Sequence, residues 1–249
     1  MIGAMEKADA VGDIVRTAYS ARSREYIDLF GSMTSTHPSD RALVGSWAHT
    51  LSGPVLDAGC GPGQWTDFLT GCGSAAAGID LVPEFVRRAR TRYPHLSFAH
   101  GSFETLDAAD ESLGGVLAWY SLIHHRPRDV RIPLAEFARA IRPGGGLLVG
   151  FFEGPAVEPF DHAATTAYRW PTADFERELV VAGFQVIETH TRTSGEQRPH
   201  GAIVARRRAA DFARPSAGGL QYTREAEEDE TSESPADEAG NVLRRRELG

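Results

Sequence analysis

The sequence predicts a doubly wound α/β fold, with helices on both faces of a seven-stranded, mostly parallel sheet. Short apolar runs alternate with amphipathic segments of about ten residues between residues 53 and 206, which is typical of βαβ units. The first apolar run leads into a glycine-rich turn, as at the ligand-binding edge of such sheets. The last two runs follow each other without a helix, so we predict an antiparallel last strand.

The first 50 residues are predicted to be helical. Apolar side chains from Val11 to Ala18 recur at helical spacing, and the sequence His37-Pro38-Ser39-Asp40 is typical of a helix start. We therefore predict N-terminal helices that form a cap over residues 1–50, ahead of an α/β domain at 51–208.

The α/β domain is predicted to contain seven strands and four helices. Its last two strands are joined by Ser194-Gly195-Glu196, which is too short for a parallel crossover of about a dozen residues. The predicted strands are 54–58, 75–80, 96–99, 115–120, 147–152, 184–193 and 201–206, and the predicted helices are 64–70, 83–93, 129–141 and 172–182.

The formal charge of −8 is concentrated at the C-terminal end. Residues 209–249 contain ten acidic residues and five arginines, which leaves −3 for residues 1–208. We predict a disordered acidic tail over 209–249, because this segment lacks apolar periodicity. The nearly balanced body has no broad basic surface of the kind that binds nucleic acid. We also expect no membrane span, because no apolar run approaches roughly 18 residues.

The N-terminus and the cysteines predict a cytoplasmic protein. Residues 1–18 carry charges every few positions and lack the apolar centre of a secretory signal. The two cysteines, Cys60 and Cys72, cannot form a disulfide framework. We expect no metal site, because the histidines lack the paired spacing of zinc ligands.

The strongest functional signal is the run Val55–Gly63. A predicted strand reaches Asp57 near its end and leads into Gly59, Gly61 and Gly63, which allow a ligand to approach the backbone closely. A carboxylate here can accept hydrogen bonds from an ammonium group but repels a pyrophosphate. The G-x-G-x-G spacing also differs from the dinucleotide fingerprint. The alternative is a strand-to-helix turn that binds nothing.

Asp80 ends the second predicted strand. A carboxylate at this place can accept hydrogen bonds from both hydroxyls of a ribose, as in dinucleotide folds. The alternative is an N-cap for the helix that begins near Pro83, and the two roles are compatible.

These motifs resemble those of the class I S-adenosylmethionine (SAM) dependent methyltransferases, which are Rossmann-like, and more narrowly a small-molecule group common in actinobacteria. The resemblance rests on Asp57-x-Gly59-x-Gly61-x-Gly63, on Gly78-Ile79-Asp80 and on Arg142-Pro143-Gly144-Gly145. It implies SAM as the cofactor and methyl transfer to an O, N or C atom of a small molecule. The alternative is a non-catalytic protein of this fold that binds SAM or partners in a regulatory role.

The resemblance also implies roles for single residues. Asp57 would hold the amino group of SAM, directly or through water, and Asp80 would hold the ribose. Members of the family often have aspartate where this chain has Ser102, so the adenine contact is left open there. The residues implied to bind the cofactor are Asp57, Gly59, Gly61, Asp80, Leu81, Ser102, Phe103 and Trp119.

His124 is the predicted catalytic residue. It follows the fourth strand, and histidine is the side chain best suited to remove a proton near neutral pH. The alternative is a structural histidine, which we favour for His125. A base is also unnecessary when the acceptor is already an amine or a phenolate, because positioning alone supplies much of the rate.

The aromatic residues near this site leave two interpretations open. Trp119 and Tyr120 either face the methyl-transfer zone or pack in the core. The segment Phe160–Trp170, together with Tyr19 and Tyr26, either covers an acceptor pocket or is a packed connection.

Overall fold

The computed structural model describes residues 2–193 and 198–209, with side chains from residue 12 onward. These residues form seven α-helices and nine strands of one sheet. The helices are α1 Ile2–Ala21, α2 Ser23–Phe30, α3 Pro38–His49, α4 Gln64–Gly71, α5 Pro83–Arg92, α6 Arg131–Ala140 and α7 Thr172–Val181. The strands are β1 Pro54–Ala58, β2 Ala75–Asp80, β3 Ser97–His100, β4 Leu113–Trp119, β5 Ile141–Glu153, β6 Glu158–Phe160, β7 Ala167–Trp170, β8 Phe184–Arg192 and β9 His200–Arg207.

The predicted doubly wound α/β fold is confirmed. Strands β1 to β5 are parallel in the order β3-β2-β1-β4-β5. Strand β9 runs antiparallel to β5, and β8 pairs antiparallel with β9, as the short connection between them predicts. Within the described residues, no helix is both long and apolar enough to cross a bilayer.

The predicted number of seven strands is wrong, because two short strands are added between β5 and α7. Strands β6 and β7 pair antiparallel, and β7 continues the sheet beside the last residues of β5. They contain three and four residues, which is too short to show the alternation that marks a strand in a sequence.

The core lies on both faces of the sheet. Val116 of β4 packs in the cluster that contains Leu134 of α6, whereas its neighbour Leu117 packs on the opposite face with Trp47 of α3. Successive residues of a strand point to opposite faces, so the continuous apolar run of β4 reflects burial on both sides.

The N-terminal helices reach two parts of the domain. His37 precedes α3, and its ring accepts a hydrogen bond from the N–H of Ser39, which confirms the predicted helix start. Helix α3 contributes to the core, whereas Tyr19 of α1 and Tyr26 of α2 contact Phe85 of α5. The division of the chain at residue 50 stays a prediction. The connection at 194–196 and the predicted tail, apart from Ala209, lie outside the described residues.

Candidate active site

A cleft lies at the carboxyl ends of β1, β2 and β4, beneath α1 and α2. It encloses a cavity of about 100 Å³, which is small beside the roughly 300–1,000 Å³ of most ligand sites. It includes seven of the eight residues that the sequence assigns to the cofactor, together with the predicted base. The residues that line it include Val15, Tyr19, Tyr26, Gly59, Gly61, Asp80, Leu81, Val82, Phe85, Ser102, Phe103, Glu104, Trp119, Tyr120, Ser121, His124 and His125.

The carboxylate of Asp80 faces this cleft. Its Oδ2 accepts a hydrogen bond from the N–H of Gly61, and its Oδ1 accepts one from the N–H of Val82, both at 2.8 Å. Each oxygen retains a second lone pair, so two further donors such as ribose hydroxyls can bind. The N-cap of α5 is Val82. Asp80 therefore anchors the glycine turn to β2 and does not cap the helix.

Asp57 lies beneath the glycine turn and does not line the cleft. The side chain is 1% exposed, and its Oδ2 accepts a hydrogen bond from the hydroxyl of Thr66 at 2.7 Å. Burial, with a smaller effect from the charge of Asp80, raises the pKa of Asp57 to about 7. Burial likewise raises the pKa of Asp80 to about 6. The predicted role of Asp57, to hold the amino group of SAM directly or through water, therefore stays a prediction, but its charge acts close to the cleft.

The glycine turn is shaped by close contacts. Gly59 has a φ of +77°, and a Cβ there would lie 2.4 Å from the Cβ of Ser121. Gly63 has a φ of +92°, and a Cβ there would lie 2.9 Å from the Cβ of Ala89 on α5. Any side chain at either position would force neighbouring groups apart. Glycine at these two positions therefore permits both the turn and the packing around it.

His124 is brought into the cleft as a neutral imidazole. Its Nδ1 lies 2.8 Å from the carbonyl oxygen of Thr166, and its Nε2 lies 3.0 Å from the hydroxyl of Tyr19. A carbonyl can only accept, so Nδ1 carries the proton and Nε2 accepts from Tyr19. Burial lowers the pKa of His124 to about 4. Its role as a base stays a prediction, and the geometry gives it Tyr19 as an immediate partner.

The opposite end of the cleft is formed by the segment after β3. Phe103 is 7% exposed, and its ring centroid lies 5.8 Å from that of His125. The Oγ of Ser102 accepts a hydrogen bond from the N–H of Glu104 at 3.1 Å. The carboxylate of Glu104 accepts one from Nε2 of His125 at 2.8 Å. Glu104 is not among the site residues that the sequence predicts, although it directly follows the predicted residue Phe103.

The exit of β4 places two aromatic residues beside the cleft. Trp119 packs edge-on against Trp65, with ring centroids 5.5 Å apart. Tyr120 has a φ of +57°, a value that is uncommon for residues other than glycine. Its hydroxyl is hydrogen-bonded to Nδ1 of His200. Both residues therefore line the cleft and pack against the sheet, so the two interpretations of this pair are compatible.

The segment Phe160–Trp170, which precedes α7, contacts His124 and helps to hold its ring in place. Its hairpin is fixed to the exit of β4 by the hydrogen bond from the N–H of Tyr168 to the carbonyl of Ile123, at 2.8 Å. The ring of His162 lies 5.3 Å from that of His124. Trp170 is buried in the core against Phe175. The first part of the segment therefore borders the site, and its last residue belongs to the core.

The sequence is similar to known methyltransferases. Residues 55–145 match a family described as a methyltransferase domain. A probable S-adenosylmethionine-dependent methyltransferase of Mycolicibacterium smegmatis is 30% identical over 151 residues, which are 57% of this chain and 56% of that protein. A malonyl-(acyl-carrier protein) O-methyltransferase of Erwinia billingiae is 25% identical over 178 residues, which are 61% of this chain and 70% of that protein. The chain thus spans little more than half the length of the Mycolicibacterium relative.

Solved structures share the fold. The 1,6-didemethyltoxoflavin-N1-methyltransferase of Burkholderia thailandensis has a TM-score of 0.64 and 20% identity, over 79% of this chain and 88% of that chain. The magnesium protoporphyrin IX methyltransferase of Synechocystis, solved with bound SAM, has a TM-score of 0.64 and 17% identity, over 79% and 97% respectively. At these identities the likeness establishes the architecture alone.

Proposed function

We propose that this chain, whose residues 55–145 match a methyltransferase domain, is a class I SAM-dependent methyltransferase that binds SAM in the cleft and catalyses methyl transfer to a small molecule. The atom that accepts the methyl group is an O, N or C atom. SAM, when bound, supplies an electrophilic methyl group on a sulfonium.

The pair of buried carboxylates carries this proposal. Asp57 and Asp80 stand on neighbouring strands beside the glycine turn, and burial raises the pKa of each. Such a site favours a ligand with positive charge, because the charge offsets the cost of ionising both groups. SAM carries an ammonium and a sulfonium, whereas a dinucleotide would bring a pyrophosphate and add repulsion.

The other residues of the cleft suit the adenosine part. Asp80 offers two free lone pairs to the ribose hydroxyls. Leu81 and Phe103 supply apolar surface for a base. The turn at Gly59 and Gly61 lets the amino-acid part approach the backbone, with Asp57 beneath it.

Tyr19 and His124 together provide a route for a proton. The phenol donates to Nε2 of His124, so its oxygen keeps lone pairs that can accept a proton from the methyl acceptor while its own proton moves to the ring. Burial lowers the pKa of His124 to about 4, so the ring is neutral and has a free acceptor nitrogen at physiological pH, but it is a weak base there. An acceptor that is already unprotonated needs only to be positioned.

The proposed acceptor is a small molecule, and the proposed compartment is the cytoplasm. Helices α1 and α2 and the hairpin before α7 border the cleft near His124, so a compact acceptor would lie against Trp119 and Tyr120 once the cleft has widened. Cys60 and Cys72 are both free thiols, as is usual in a reducing compartment.

Calorimetric titration with SAM, S-adenosylhomocysteine (SAH) and NAD tests the proposal. We expect micromolar binding of SAM and SAH and none of NAD, followed by turnover in a screen of small-molecule acceptors. Binding of NAD alone would contradict the proposed cofactor. Tight binding of SAM without turnover of any acceptor would favour the regulatory alternative.

A further inference from the structure

The hydroxyl of Ser121 is buried and has no hydrogen-bond partner. Among the described residues, two other buried side-chain atoms share this condition, Nε1 of Trp47 and Oε1 of Gln64, and neither residue lines the cleft. A buried hydroxyl without a partner destabilises the folded protein, and nearly all such groups in native structures are satisfied. Ser121 is therefore an unexplained polar group at the cleft.

The backbone places this hydroxyl by an uncommon conformation. Tyr120 has a φ of +57°, and its N–H still bonds the carbonyl of Gly150 at 3.0 Å. The turn at Tyr120 carries Ser121 against the glycine turn, where the Cβ of Ser121 would collide with any side chain at Gly59. Strained backbone of this kind is retained where the surrounding structure requires a particular geometry.

The position of Ser121 indicates which part of the bound cofactor its hydroxyl would contact. A Cβ at Gly59 would lie 3.3 Å from the Oγ of Ser121 and 3.5 Å from Cε1 of Phe103, so the hydroxyl lies beside the glycine turn, to which the proposed function assigns the amino-acid part of SAM. The cavity of about 100 Å³ must widen to admit a ligand the size of SAM. Tyr19 and Tyr26 also line the cleft, so movement of α1 and α2 would widen it.

We propose that the hydroxyl of Ser121 hydrogen-bonds to the α-amino-acid head of the bound cofactor. A serine hydroxyl both donates and accepts, so it suits a group that carries an ammonium and a carboxylate. This inference rests on the proposed function and adds a binding residue to it. It also explains why a partnerless hydroxyl stands beside the cleft.

The test compares two ligands that share the adenosine part. SAH has the amino-acid head, and 5′-methylthioadenosine lacks it. For Ser121→Ala we expect the Kd of SAH to rise about 10-fold or more, as for the loss of a hydrogen bond to a charged group, while the Kd of 5′-methylthioadenosine changes less than twofold. The melting temperature of the ligand-free variant should be equal or higher, because an unsatisfied group has been removed.

Ser102→Ala is the matched control, because Ser102 lies at the nucleoside end of the same cleft. Its effect, large or small, should be the same for both ligands. An unchanged Kd of SAH in Ser121→Ala, or an equal loss for both ligands, would overturn the inference while leaving the proposed function standing. Wild-type protein that binds neither ligand would overturn both.

Discussion

The hydroxyl of Tyr19 lies 3.0 Å from Nε2 of His124, although 105 residues separate them in the chain. The carbonyl of Thr166 fixes the tautomer of the ring from the other side, so the phenol is the donor. The cap helix and the exit of β4 thus meet in one hydrogen-bonded chain. These hydrogen bonds make helix α1 part of the site and not only a cover over it.

Replacing Tyr19 by phenylalanine should impair the chemical step more than cofactor binding. We expect kcat for an acceptor that must lose a proton to fall about 100-fold or more, because a positioned acid or base typically contributes about 10²–10⁴-fold. The Kd of SAH should stay within about threefold. Single-turnover methylation and calorimetry measure the two quantities. Tyr93→Phe, which removes a phenol outside the cleft, is the control, and an unchanged kcat in Tyr19→Phe would contradict the proton route.

The parallel sheet and its ligand edge could be predicted because strong local patterns encode them. The continuous apolar run of β4 and the strand-end position of Asp80 each have a direct physical meaning in the sequence. The short strands β6 and β7 have no such pattern. Their residues become strands because they extend the edge of a sheet that is already formed.

The hydrogen-bond partners of the site residues could not be predicted, because they depend on contacts between segments that are separated in the sequence. Nothing near Asp57 reveals that Thr66 engages it below the turn and away from the cleft. The same holds for Ser121: only the folded structure shows that its hydroxyl is buried near Gly59 and has no hydrogen-bond partner. Side-chain chemistry could thus be anticipated from position, but hydrogen-bond partners could not.

The contribution of Asp57 and Asp80 to the stability of the ligand-free protein should decrease as the pH rises from about 5 to 8, whereas His124, whose pKa burial lowers to about 4, acts in the opposite direction below about pH 6.5. Burial raises the folded-state pKa of Asp57 to about 7 and that of Asp80 to about 6, whereas an unfolded aspartate titrates near ~3.9. At these two carboxylates the folded state therefore binds more protons across this range. The corresponding stability is present in full below the unfolded pKa and is lost as the pH passes the folded values.

Asp57→Asn isolates this effect. The amide can still accept from Thr66 but carries no charge, so we expect it to flatten the pH dependence and to raise the free energy of unfolding at pH 8 by roughly 1–3 kcal/mol. Urea unfolding at several pH values measures this free energy. Asp67→Asn, on the solvent side of α4, is the control. A slope equally steep in Asp57→Asn and in the wild type would exclude Asp57 as the source.

Cofactor binding should release protons near pH 6.5. An ammonium placed by the glycine turn favours the charged form of Asp57 and so lowers its pKa from about 7. The complex then holds fewer protons than the ligand-free protein, and affinity for SAH should increase as the pH is raised from about 5.5 to 7.5. Calorimetry in buffers of different ionisation enthalpy counts the protons. Uptake of protons, or no exchange in this range, would show that no cationic group comes near Asp57.

A methyl group added at Gly59 should close the cofactor cleft, and the chain offers a control with the same backbone angle. Gly59 and Gly144 both have a φ of +77°, so alanine carries a similar conformational cost at each, about 1–2 kcal/mol. They differ in space: a Cβ at Gly59 would lie 2.4 Å from that of Ser121, whereas at Gly144 no heavy atom lies within 4 Å.

Both alanine variants should therefore lose some stability, but Gly59→Ala should lose roughly 1–3 kcal/mol more, the usual cost of overpacking. It should also bind SAH at least about 10-fold more weakly, which corresponds to about 1.4 kcal/mol, while Gly144→Ala retains wild-type affinity. Urea unfolding and calorimetry on the two variants provide the comparison. Equal losses in both would mean that the backbone angle, and not the contact with Ser121, is what requires glycine at position 59.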